Sequence, residues 1–106
     1  MINVEFHIND DGQVTSFNME GHAMFGEYGS DIVCAGASAV VFGSVNAILN
    51  MTDANPSIDM EEETGYFNFE VTDPDDEKLQ TLLESMIISL KTIEEEYGEN
   101  IKLSFK

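Results

Sequence analysis

The sequence predicts an α/β (α+β) domain of order ββαββαβ, a mostly antiparallel sheet with two helices packed on it. Three observations predict this. Short runs at both ends of the chain alternate apolar and polar residues, as half-buried strands do. Two pairs of such runs are separated only by brief turns, which makes hairpins and therefore antiparallel neighbours. Two longer segments, 31–50 and 75–97, carry helical signals, and helices of this kind bury one side against a sheet. At 106 residues the chain is expected to be a single domain, 1–106, large enough for one hydrophobic core.

The first strand is residues 2–8, where Ile2, Val4, Phe6 and Ile8 face one way and Asn3, Glu5 and His7 the other. The turn Asn9-Asp10-Asp11-Gly12 leads into a second strand, 13–20. Val14 falls on the opposite phase to Phe17 and Met19, which calls for a bulge or for a strand covered on both faces. A helix follows over 31–50, capped by Ser30 or Asp31. It is apolar nearly all round, so it is expected between layers or at a subunit interface. Its small residues Gly36, Ala37, Gly43 and Ser44 suggest close approach of another backbone.

Residues 57–63 and 65–71 form a second hairpin around Thr64-Gly65. Asp73 is read as the cap of the next helix, with Pro74 at its first position and acids in its first turn. Leu79, Leu82, Leu83, Met86, Ile87, Leu90, Ile93 and Tyr97 trace one apolar stripe at spacings of three and four. Glu94-Glu95-Glu96 reads as a solvated run, and Gly98 as the helix terminator. Ile101, Leu103 and Phe105 alternate in a last strand.

Charge narrows the function. Lys78, Lys91, Lys102 and Lys106 are the only basic side chains, against 21 carboxylates, for a formal net charge of −17. Direct binding to nucleic acid or to an anionic membrane is disfavoured, and a basic partner is favoured. The same charge also serves solubility. One cysteine forbids an intramolecular disulfide, and the absence of a signal-peptide pattern and of a long apolar span points to a cytoplasmic chain with no membrane contact. No Cys/His grouping suggests a metal, and no cofactor is expected.

The chemistry is concentrated in residues 20–38, EGHAMFGEYGSDIVCAGAS. This stretch holds the only cysteine, Cys34, and one of two histidines, His22. A thiol with an imidazole near it in space is the minimum equipment for nucleophilic cysteine chemistry. Cys34 is expected in the first turn of its helix, where the macrodipole favours a thiolate. The overall negative field opposes the anion, and protonated His22 is the cation nearest in sequence. A strand–loop–helix unit can bring His22, at the end of the second strand, close to the helix start. His7 is expected at the surface. Gly26 and Gly29 suggest a loop able to close over a substrate. Met24, Phe25 and Tyr28 on that loop either contact apolar substrate side chains or pack locally. The residues by themselves leave three readings open. Cys34 serves a cysteine protease, or another thiol enzyme such as a deamidase or transferase. In the third reading it is a buried structural residue of an acidic, non-catalytic module that binds a basic protein.

Gly21-His22-Ala23, followed by Gly29-Ser30-Asp31-Ile32-Val33-Cys34-Ala35-Gly36-Ala37-Ser38, closely resembles the ribosomal-processing cysteine protease family called Prp. Element order and length match along the whole chain. The resemblance implies Cys34 as nucleophile, His22 as base, and a homodimer. It implies a basic ribosomal protein as substrate, the large-subunit protein L twenty-seven, from which a short N-terminal extension is removed next to an aromatic-rich segment. Asp31 and Ser38 would support or orient the pair, with capping of the helix an equal role for Asp31. Backbone N–H groups around Cys34 are the expected oxyanion hole.

Overall fold

The structure is a computed structural model that describes residues 1–21, 30–61 and 63–106. Its elements are β1 (Ile2–Ile8), β2 (Val14–Glu20), α1 (Ser30–Met51), β3 (Ser57–Glu61), β4 (Tyr66–Glu70), α2 (Glu77–Tyr97) and β5 (Ile101–Phe105). The order is the expected ββαββαβ. The five strands form one mixed sheet, β3-β4-β2-β1-β5. Only β1 and β5 pair in parallel, and the remaining neighbours are antiparallel.

The sheet has one dry face and one wet face. Ile2, Val4 and Phe6 of β1 and Phe17 and Met19 of β2 are buried, as are Phe67 and Phe69 of β4 and Ile101 of β5. They pack against Val33, Ala37, Val41, Val45 and Ile48 of α1 and Leu79, Leu83, Met86 and Leu90 of α2 in one cluster. A row of phenylalanines crosses the sheet within it. Phe17 lies 5.7 Å from Phe6, 5.1 Å from Phe69 and 5.9 Å from Phe67, between ring centroids. Phe67 in turn meets the edge of Phe42 on α1 at 5.2 Å and 87°. Such pairs add about 0.5–1.5 kcal/mol each beyond area burial.

The phase conflict in β2 is a bulge. His7 pairs with Ser16 and Ile8 with Val14, so Thr15 is the extra residue. The Gln80 side chain of α2 clamps the β2 side of this irregularity, accepting from the Val14 N–H and donating to the Val14 carbonyl, both at 2.8 Å. On the wet face Glu5 lies 3.2 Å from Lys106 Nζ and 2.8 Å from His7 Nε2. The Lys106 hydrogen bond and charge, joined by His7, hold the Glu5 carboxyl below the usual range.

Several sequence expectations change. The helix α1 is not sandwiched between layers: one side packs on the sheet and Ile32 and Leu49 are exposed. Residues Ile32–Met51 are long and apolar enough to cross a membrane by length and composition, so the expectation of no long apolar span fails. Core helices pass the same test, and this one buries a stripe in the sheet. A Cβ at Gly43 would meet nothing within 4 Å, and one at Gly36 only the Ile93 side chain at 3.6 Å, so no other backbone among the described residues of the chain approaches them closely. Ser30 and Asp31 lie inside α1 rather than before it. The cap of α2 is Asp76, whose carboxylate accepts the Leu79 N–H at 3.0 Å. Asp73 instead closes the preceding turn, accepting from Asp75 N–H at 3.1 Å. Gly98 ends α2 in a right-handed conformation, so a left-handed cap is not its reason. Glu94 is not merely solvated: its carboxylate accepts the Leu103 N–H of β5 at 2.7 Å.

Candidate active site

Cys34 is half-buried and free of any disulfide. It is the fifth residue of α1, so it sits at the start of the second turn, not in the first. In α-helical pairing its own N–H points back at the Ser30 carbonyl. The N–H groups left without a helical partner are those of Ser30 to Val33. The helix start that precedes Cys34 therefore offers its free N–H groups from Ser30 to Val33.

Helical spacing aligns Cys34, Ser38 and Phe42 on one face of α1, four residues apart each time. All three line a pocket of about 250 Å³. Among the described residues its other walls come from the sheet: Ile2 and Met19 from β1 and β2, Phe67 from β4, and the end of the β3–β4 hairpin. There Glu61, Gly65 and Tyr66 bring polar groups to a cavity that is otherwise largely apolar. An apolar cavity with few polar groups and one thiol suits a bound peptide side chain beside a nucleophile.

Gly21 lines the same pocket. It ends β2 with φ 99°, and a Cβ there would collide with the Met1 carbonyl. The chain thus leaves the pocket wall at Gly21 and re-enters the described structure at the start of α1, four residues before Cys34. His22, Met24, Phe25, Gly26, Tyr28 and Gly29, with the side chain of Asp31, lie outside the described residues. His7 is on the wet face of the sheet, paired with Glu5. Among the described residues no group of three metal-ligating side chains occurs.

The sequence reading missed Phe42, Met60, Glu61 and Tyr66. Phe42 was legible in principle, eight residues beyond Cys34 on the same helical face. Met60, Glu61 and Tyr66 were not, because their approach depends on β4 pairing with β2.

With this geometry in hand, the chain is similar to known proteins over its whole length. The family model described as cysteine protease Prp matches residues 1–102. The ribosomal processing cysteine protease Prp of Staphylococcus aureus strain Mu50 is 52% identical over 106 residues, covering 100% of both chains. A crystal structure of an essential ribosomal processing protease Prp from S. aureus in complex with a substrate peptide superposes with a TM-score of 0.95, at 51% identity and 100% coverage of each chain. A second S. aureus structure, holding a covalently linked product peptide, gives 0.93 at 52% identity, again over 100% of each chain.

Proposed function

The chain belongs to the cysteine protease Prp family and is a cysteine protease; from that membership we propose that it processes a ribosomal protein, with Cys34 as nucleophile and His22 as general base. The observation that carries the assignment of Cys34 is its place on the wall of an apolar pocket of about 250 Å³, in a chain with no other thiol. A relative with a covalently linked product peptide fits nucleophilic catalysis by such a thiol. His22 follows directly on Gly21, which lines the same pocket.

In this reaction His22 takes the Cys34 proton and Sγ attacks the scissile carbonyl carbon. The carbonyl oxygen becomes an oxyanion that the free N–H groups of the first turn of α1 can receive. Collapse of that intermediate breaks the peptide C–N bond, and His22 delivers its proton to the departing amine. Water, deprotonated by His22, then hydrolyses the thioester and frees the thiol. Ser38, one turn beyond Cys34 on the same face, supports the nucleophile's side of the pocket, and Asp31 orients His22 or stabilises the helix start.

The substrate in this proposal is the large-subunit ribosomal protein L twenty-seven, cut at its N-terminal extension. Net charge supports a basic substrate, and the apolar pocket supports cleavage beside apolar or aromatic residues. The enzyme is taken to act in the cytoplasm as a homodimer, without nucleic acid or membrane. Exposed Ile32 on α1 and Ile88 on α2 give a dimer apolar surface to cover.

Intact-mass analysis of the unprocessed ribosomal protein after incubation tests the proposal. We expect one defined cut by the parent enzyme, abolished in Cys34→Ala and reduced at least about a hundredfold in His22→Ala. No cut by the parent would overturn the substrate. A cut that survives Cys34→Ala would overturn the nucleophile.

A further inference from the structure

We propose that the groove between α1 and the edge strand β3 is an extended substrate-binding site, in which the substrate chain leaving the Cys34 pocket adds to β3 as a further strand. This rests on the protease reading and names how the substrate is held. β3 ends the sheet order, so its outer row of backbone N–H and C=O groups has no strand partner among the described residues. All five of its residues are exposed. Ile58 pairs with buried Phe69, and Met60 with buried Phe67, so both side chains are on the dry face. Yet Ile58 is 41% exposed and Met60 53%, because neither helix covers this edge.

The opposite wall is the Cys34 face of α1. Phe42 lies on Phe67, which points this face towards β4 and β3. Leu49, seven residues further and so two turns along the same face, is 46% exposed. Met60 lines the Cys34 pocket itself, so the groove is continuous with it. From Cys34 to Leu49 the helix advances about 22 Å, the length of roughly six or seven extended residues.

The occupant follows from charge. Asp59 projects from β3 on the wet face, opposite Asn68, and Glu61 stands at the end of the strand, where it also borders the Cys34 pocket. Two copies of β3 pairing edge to edge would bring these carboxylates together, which disfavours a second copy. An extended segment with apolar side chains at alternate positions and basic residues between them satisfies both faces: apolar groups meet Ile58, Met60 and Leu49, and basic groups meet Asp59 and Glu61.

Three peptides test this, one spanning about six residues around the scissile bond and two extended by about seven more, one on each side. Ile58→Ser and, separately, Leu49→Ser should raise KM for the extended peptides about tenfold on the side that uses the groove. Cleavage of the short peptide should be unchanged. In Cys34→Ala, the extended peptide on that side should slow hydrogen exchange of the β3 amides, and the short one should not. Equal effects on all peptides, or no effect with β3 exchange unaltered, would overturn the groove while leaving the protease reading intact. Failure of the parent to cut any peptide would remove the protease reading, and unprotected β3 amides in the binding experiment would then remove the groove as well.

Discussion

Gly21 is held by two constraints at once, a positive φ and the Met1 carbonyl where a Cβ would stand. Replacing it forces the end of β2 to move, and that end carries both a pocket wall and the bond to His22. Gly21→Ala should lower stability by about 1–3 kcal/mol in urea unfolding. Activity per folded molecule should fall as well, because the shift is passed to the next residue. The sequence flagged Gly21 only as part of a motif. Its reason needed the N-terminus to be seen beside it. Cys34 shows the converse. Its place on a helix was readable from spacing, but the helix starts early enough to put it in the second turn, where the macrodipole acts less. In the proposed mechanism, activation of the thiol would rest more on His22 than on the helix dipole. The acidic neighbours of Glu94 give it the sequence pattern of a solvated residue. Its real task, satisfying an edge N–H of β5, joins two elements whose proximity is a tertiary fact.

The elements themselves were legible where one periodicity dominates. The alternation of β1 and the stripe of α2 gave the right structure at nearly the right bounds, since burying one face dictates the pattern. Ends were less legible, because several residues compete to cap. Asp73, Asp75 and Asp76 are all good caps by type, and Pro74 favoured the first. The chain instead uses Asp73 in a turn and starts α2 after Asp76. Asp76→Ala should therefore cost about 1 kcal/mol in chemical denaturation, and Asp73→Ala less. The apolarity of α1 was visible, but not which side it buries. A helix rich in Val, Ile and Ala all round fits a two-sided burial, a membrane span or an interface equally well. Only packing on one face of the sheet selected Val33, Ala37, Val41, Val45 and Ile48.

Across the whole molecule the dominant quantity is charge. A net −17 on so small a chain produces a field that attracts cationic partners, and the proposed basic substrate would meet the enzyme faster for it. Raising the salt from about 0.05 M to 0.5 M should lower kcat/KM for the ribosomal protein several-fold and leave kcat nearly unchanged. A kcat/KM indifferent to salt would remove the steering role.

The sequence by itself determined the order of elements, the register of most apolar positions, the acidic character, and the thiol with its motif. These follow from local periodicity, composition and residue type, which survive without knowledge of neighbours. Only the tertiary structure decided the strand order β3-β4-β2-β1-β5, and with it the β3–β4 hairpin as a wall of the Cys34 pocket. Strand order depends on which edges meet after the hairpins form, and on the helices covering one face but not its β3 edge. That information is carried by contacts between residues far apart in the chain, and no local pattern contains it.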